Sequence, residues 1–401
     1  MSGSRITSLE RAERLLAVGD RTPAGWLLAP LLPLSRLYGL AMRARAALYA
    51  RGLLRQQSLP CRVISVGNLT LGGTGKTPVV IALAKALRDR GRKVAVISRG
   101  YKRRRGTSIL EVSDGHALRG HPGDSGDEPF LIAQRCPGVP VVVGADRPLV
   151  GRYLVDRYRV DTVILDDGYQ HLALRRDMDI LVLDASAPFG NGYLLPRGRL
   201  REPLSAIGRA SAVLVTRASH AGRLEELKDR VTAVAPMVPI WITDFAASAV
   251  VQVGGSASVE PSALKGERVL AVSGVGNPES FRRLLAVVGS TVVDHCVFAD
   301  HHAYSQDDLG RIRRSAEQAG VDRIVTTEKD AVKLAPLITA FPNMPSPGAP
   351  VALRGTHCSL DAMGHSTGHG EGRVRGDVWA VRIELQWIEG REEWERMVLQ
   401  G

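Results

Sequence analysis

The sequence predicts an α/β protein: a doubly wound parallel sheet followed by a second, smaller α/β unit. Short β-branched runs recur at residues 63–66, 94–98, 141–143, 162–165, 180–183 and 212–215, with amphipathic segments such as 79–90 between several of them. Uninterrupted apolar strands alternating with helices are expected where helices cover both faces of a parallel sheet. The alternation resumes after Arg268, with strands at 269–272 and 323–326 and helices near 278–288 and 305–318. Between the two lies 245–259, rich in Ala, Ser, Val and Gly, which reads as an extended inter-domain connection and candidate hinge. An apolar run at 378–387 and a charged helix at 392–399 close the chain.

At 401 residues the chain is long enough for two domains, and 44% hydrophobic with 23% charged residues is the balance of a globular protein rather than a disordered one. The net charge of +12 favours polyanionic partners. Residues 1–60 hold nine Arg against three acidic residues, so half of that excess is concentrated there. No basic zipper or RNA-binding aromatic motif accompanies it, and only 5% of residues are aromatic, which argues against nucleic acid and for an acidic membrane surface. Cys61, Cys136, Cys296 and Cys358 form no CxxC pair, so neither a zinc site nor a disulfide framework is indicated, and a reducing cytosol is the default.

The most apolar stretch, 26–42, is interrupted by Pro30, Pro33 and Arg36 and makes a poor spanning helix. Glu10, Glu13 and Asp20 precede it where a signal peptide would carry a short positive leader. It continues into Arg43, Arg45, Arg51 and Arg55, the composition of an amphipathic helix lying among headgroups. A helix packed on its own domain fits that segment equally well. The Pro, Gly, Ser and His-rich stretch 342–377 reads as an irregular insertion, and its His357, Cys358, His365 and His369 as a solvated loop rather than a metal cluster.

The strongest chemical signal is TLGGTGKT at 70–77, directly after the strand at 63–66. Glycines let successive backbone N–H groups point into one concavity, Lys76 reaches the β and γ phosphates, and the Thr77 hydroxyl holds Mg²⁺. The following helix aims its positive end at the same anion. The fold class is therefore sharpened to a P-loop NTPase-type sheet, with Thr70, Leu71, Gly72, Gly73, Thr74, Gly75, Lys76 and Thr77 as the nucleotide-binding set. Thr70 stands where the usual pattern has Gly. Asp166 and Asp167 end an apolar strand at the edge where such sheets bind ligands, the Walker-B position for Mg²⁺. Asp127-Glu128-Pro129, Asp300-His301-His302 and Glu328-Lys329-Asp330 are clusters of acid-base residues expected in loops, the first also a plausible helix start.

Taken together these residues resemble the tetraacyldisaccharide 4′-kinase family, the lipid A 4′-kinases of Gram-negative bacteria. The resemblance runs through VGNLTLGGTGKTP from Val66, SRGY from Ser98, DEP from Asp127, LDDGYQH from Leu165, NGYLLPRGRLREP from Asn191, SGVGNP from Ser273, FADHH from Phe298 and TTEKDAVKL from Thr326. The family shares the Thr at the start of the loop. Departures are Lys102 and Arg103 and the insertion at 342–377. The resemblance implies ATP and Mg²⁺ as cofactors, and transfer of the γ-phosphate to the 4′-hydroxyl of a tetraacylated glucosamine disaccharide 1-phosphate at the cytoplasmic face of the inner membrane. No nucleic-acid or obligate protein partner is inferred. It implies Asp127 as the base with His301 beside it and Lys76 on the transferring phosphate. Glu128 joins Thr77, Asp166 and Asp167 at the metal. Tyr101, Gln170, His171, Arg199 and Arg201 face the lipid substrate, the two arginines offering charge to a phosphate. The implied organisation is a membrane-associating segment 1–60, a kinase domain 61–244, a connection 245–267 and a smaller α/β domain 268–401.

Two rivals share the phosphate loop. A membrane-partitioning ATPase carries Lys where this chain has Leu71, and a GTPase switch carries an Asn-Lys-x-Asp motif that is missing here.

Overall fold

A computed structural model describes residues 28–100, 109–340 and 377–399. Tyr101, Lys102, Arg103, Trp26, Leu27 and the His-rich insertion lie outside the described residues.

Helix α1 (Leu32–Ala50) precedes the sheet. The first lobe follows as β1 (Arg62–Gly67), α2 (Lys76–Arg88), β2 (Val94–Ser98), β3 (Leu110–Asp114), α3 (Asp127–Arg135), β4 (Pro140–Val143), α4 (Arg147–Tyr158), β5 (Thr162–Asp166), β6 (Met178–Asp184), β7 (Ala212–Thr216) and α5 (Leu224–Val234). Strand β8 (Ile240–Gln252) and the short β9 (Ser258–Val259) lead to the second lobe. This consists of β10 (Arg268–Ser273), α6 (Pro278–Val288), β11 (Thr291–Val297), α7 (Gln306–Ala319), β12 (Arg323–Thr327), α8 (Glu328–Ala340), β13 (Asp377–Glu389) and a closing helical segment opened by α9 (Arg391–Trp394).

All strands belong to one sheet in the order β11-β10-β12-β13-β8-β7-β6-β1-β5-β2-β4-β3, with β9 beside β8. The first-lobe pairs are parallel except β3 on β4, and in the second lobe β10 pairs in parallel with β11 and β12, and β12 with β13. The expected parallel runs are buried along their length because helices lie on both faces. Leu83 and Leu87 of α2 pack with Ile64, Val96 and Ile164, and Val150 and Leu154 of α4 pack with Val63, Ile97 and Val163.

The stretch 245–259, expected as an extended connection, is the second half of β8 together with β9. Its strand residues are hydrogen-bonded to β13 and to one another, with a turn at 253–257. β8 pairs antiparallel with β13 from Ile242 opposite Glu389 to Gln252 opposite Trp379, while its first residues pair in parallel with β7. The two lobes thus share one ladder rather than hanging on a loop.

Local signals place the second-lobe helices. Asn277 caps α6 by accepting from Ser280 N, and Gly289, at φ 94°, ends it in a conformation that costs a glycine little. A capping box between Ser305 and Asp308 opens α7. The Glu328-Lys329-Asp330 cluster, expected in a loop, forms the first turn of α8.

Helix α1 docks against the loop before β7. Its buried Ser35 donates to Leu194 O at 3.0 Å and accepts from Arg197 N at 3.0 Å, and Tyr38 Oη donates to Arg201 O at 2.8 Å. Leu34, Leu37 and Leu40 on the other side are more than half exposed, at 53%, 62% and 61%. No helix among the described residues is long and apolar enough to cross a membrane.

Candidate active site

The C-terminal edge of the first-lobe strands and the loops of the second lobe enclose a cleft of about 1300 Å³. Its floor is the loop between β1 and α2. Gly72 and Gly75 have φ of 109° and 82°, the left-handed region that turns backbone N–H groups inward. Gly75 is also sterically required, since a Cβ there would lie 2.6 Å from the Phe245 ring. Side chains at the end of β7 hold the loop's carbonyls: Thr216 Oγ1 donates to Thr74 O at 2.9 Å and the Arg217 guanidinium to Gly73 O at 3.2 Å. Arg217 is itself fixed by an ion pair with Asp184 and a 3.1 Å bond to Ser280 of the second lobe.

Of the expected nucleotide-binding residues, those at 71–77 line the cleft. Thr70 does not; it is buried at the loop's foot, bridged to Leu200, with its carbonyl accepting from Asn68. Lys76 Nζ lies 3.4 Å from Asp167 Oδ1, and Arg201 reaches both Asp167 oxygens at 3.1 and 2.9 Å. Burial pushes the Asp167 carboxyl up, but Lys76 and Arg201 outweigh it and draw it down to about 2. Its neighbour behaves oppositely. Burial, with Glu128 and Asp167 nearby, pushes Asp166 up to about 7 against Lys76 and the 2.9 Å bond from Ser98 Oγ.

Asp166 Oδ1 is buried with no hydrogen-bond partner. Among the described residues no group of three His, Cys, Asp or Glu side chains has a metal-holding arrangement. A hard divalent ion at a nucleotide site takes one or two carboxylates plus phosphate and water oxygens. The orphaned Asp166 oxygen and the Thr77 hydroxyl fit that role. Glu128, expected at the metal, accepts from Lys329 Nζ at 3.0 Å through Oε1.

The opposite wall joins the lobes. His301 Nδ1 lies 3.0 and 3.1 Å from the two oxygens of Asp127, which is buried at the start of α3. His301 has φ 59°, an unusual backbone setting for a histidine that turns the ring into the cleft. Burial pushes Asp127 up, yet His301, Lys329 and Lys333 hold it well below the usual carboxylate range. Behind this pair, Arg135 of α3 forms a buried ion pair with Glu328 of α8, and Arg382 Nε joins at 3.1 Å.

Gln170 and His171 line the cleft on the side of α1, and Gln170 is tied to Asn68 O at 2.9 Å and accepts from Arg45 through its carbonyl at 3.1 Å. Burial, with Arg147, Arg176 and Arg45 nearby, lowers His171 to about 4, so its ring is neutral at pH 7. Arg201 lines the cleft, whereas Arg199 packs on the flank of Gly72 and lends its carbonyl to Leu71 N at 2.8 Å. Arg217, Ser98, Asp300 and Lys329 were not singled out as site residues by the sequence. Lys329 lies in the TTEKDAVKL motif, but its partners are far away along the chain.

A Gly-rich phosphate loop, strand-end carboxylates and a carboxylate–imidazole pair in one cleft define a P-loop phosphotransferase with a second lobe closing over the loop. The family model described as tetraacyldisaccharide-1-P 4′-kinase, LpxK, matches residues 27–351. A tetraacyldisaccharide 4′-kinase of Syntrophus aciditrophicus is 44% identical over 326 residues, covering 79% of this chain and 86% of the relative. One from Anaeromyxobacter sp. strain Fw109-5 is 46% identical over 321 residues, covering 79% and 85%. The crystal structure of LpxK from Aquifex aeolicus in complex with ATP superposes with a TM-score of 0.67 at 29% identity, covering 93% of this chain and 98% of that one. The chain belongs to the tetraacyldisaccharide-1-P 4′-kinase family. It is a kinase, which sets aside the partitioning-ATPase and GTPase readings.

Proposed function

We propose that the chain transfers the γ-phosphate of ATP to the 4′-hydroxyl of a tetraacylated glucosamine disaccharide 1-phosphate, with Asp127 receiving the hydroxyl proton. The observation that carries this reading is that the phosphate loop and the Asp127–His301 pair line one cleft in a chain of this family. Backbone N–H groups of 72–77 bind the phosphates, and Lys76, leaving Asp167, neutralises charge on the transferring group. Thr77 and Asp166 would hold Mg²⁺, which would neutralise charge developing on the transferring phosphate. Phosphoryl transfer is loose, so the attacking hydroxyl keeps its proton until late and an ionised carboxylate suffices to accept it. His301 fixes the orientation of that carboxylate. Arg201 and His171 stand on the side of the cleft where the lipid's polar head would enter.

Labelled ATP with detergent-dispersed acylated disaccharide tests the reading: label should appear on the disaccharide and not on a headgroup-free control. Phosphate release without transfer would overturn it.

The localisation proposal is that α1 lies on the cytoplasmic face of the inner membrane, its exposed Leu34, Leu37 and Leu40 in the acyl boundary and its arginines among anionic headgroups. Vesicle co-sedimentation should survive 1 M salt only in part, at a Debye length of about 3 Å, because the apolar contact is unscreened. Complete release by salt would contradict apolar insertion.

A further inference from the structure

We propose that Lys329 is a positioning residue that sets the tautomer of His301, so that the ring presents Nδ1–H to Asp127. The proposal rests on the assignment of Asp127 and His301 to the transfer step and adds the group that holds them in register.

Lys329 stands in the first turn of α8, largely buried where the lobes meet. Its ammonium lies 3.0 Å from Glu128 Oε1, 3.0 Å from Asp300 Oδ1 and 3.2 Å from His301 Nε2. A lysine ammonium has three N–H donors and no lone pair, and these three acceptors match them. His301 Nε2 must therefore offer its lone pair to Lys329, which leaves the proton of the neutral ring on Nδ1. Nδ1 is the atom beside both Asp127 oxygens. Lys329 comes from α8, Asp127 and Glu128 from α3, and Asp300 and His301 from the loop after β11. One side chain thus fixes the relation of three elements.

The charges around it explain why a cation is needed. Asp127, Glu128 and Asp300 converge there, with Asp330 and Lys333 of α8 behind them, Lys333 Nζ being 3.5 Å from Asp127 and 3.2 Å from Asp330. Without Lys329, Glu128 and Asp300 would remain 3.9 Å from Nε2 and compete with Asp127 for the ring proton. The adjacent His302 takes no part, since its ring is bound to Asp308 at 3.0 Å.

The test uses full-length protein in detergent with ¹⁵N-labelled histidine, the His301 signals being identified by their loss in His301→Asn. The wild-type ring should show a protonated Nδ1 and an unprotonated Nε2. In Lys329→Met the proton should distribute over both nitrogens, and kcat should fall on the order of 100-fold with KM for ATP little changed. Lys329→Arg, which restores a donor to Nε2, should recover the wild-type tautomer and much of the rate. A purely structural role would leave the tautomer unmoved. The proposal is overturned by a proton on Nε2 in the wild-type ring, a measurement that needs no variant to fold. It is equally overturned by Lys329→Met retaining the Nδ1–H signature. Near-normal transfer by Asp127→Ala would instead remove the base assignment while leaving the wild-type tautomer as measured.

Discussion

On the first-lobe wall of the cleft, the phosphate-binding groups come from residues 71–77 and the strand ends beside them. On the wall facing it, Asp127 and His301 meet across 174 residues of chain, Glu128 and Lys329 across 201. The first wall is local: a strand, a Gly-rich turn and a helix N-terminus would assemble much the same site in any parallel sheet. The second exists only while the lobes are docked, through Arg135–Glu328, Glu128–Lys329 and Arg217–Ser280. In the proposed mechanism, phosphate binding is therefore written into one segment, and the acid-base pair into an interface. In such an enzyme the nucleotide site can persist when the catalytic pair is separated.

The sharpest division between the walls is expected at Lys76. Lys76→Ala should reduce turnover by about 1,000-fold or more, because the ammonium acts on the transferring group in a site that excludes water. Near-normal single-turnover transfer by that variant would mean that the loop is not the ATP site. On the opposite wall, Asp127→Ala and His301→Ala should each lose roughly 100- to 10,000-fold in single-turnover rate with ATP binding intact. The double variant should fall well short of the product of the two. Fully multiplicative losses would show that the two residues do not act as a pair.

The interface itself can be loosened at Arg135. Arg135→Met leaves Glu328, whose carboxyl is already raised by burial against the pull of Arg135 and Arg382, with one cation fewer. The cost should be about 3 kcal/mol in chemical denaturation, with transfer reduced more than ATP binding. Equal losses of both would erase the distinction between the walls. The smallest effect concerns acid stability at the cleft's lipid side. The His171 pKa is about 4 in the fold, below the ordinary 6.5, so the unfolded chain binds more protons between those values. Stability from this residue is then complete above pH 6.5 and is lost as pH falls toward 4. His171→Asn should flatten the denaturation midpoint across that window; an unchanged slope would show that the ring is already charged in the fold.

Legibility followed the same division. The buried strands β1, β2, β5, β6 and β7 were readable because coverage on both faces leaves uninterrupted apolar runs. Strand β11 has no fully buried residue, and β3 is an edge strand paired antiparallel with β4, so neither carries that signature. The second half of β8 resembled a connection because Phe245–Ala249 is only partly covered, small residues standing where a core strand would have large ones. Its partner β13 lies more than a hundred residues on, and no local pattern announces that pairing. The motif residues 71–77, Asp166 and Asp167 were found by spacing alone. Asp127 and His301 were reached through family resemblance, and Lys329 was seen only as part of a charged cluster.

The sequence by itself determined the fold class, the phosphate loop and the family, because strand burial, glycine geometry and the Gly-Lys-Thr run are properties of short contiguous segments. Only the tertiary structure decided that β8 and β13 fuse the two lobes into one sheet, that Glu128 faces a lysine, and that Lys329 reaches the imidazole opposite Asp127. Those are contacts between segments far apart in the chain, set by how the lobes pack, and residue order carries no distance.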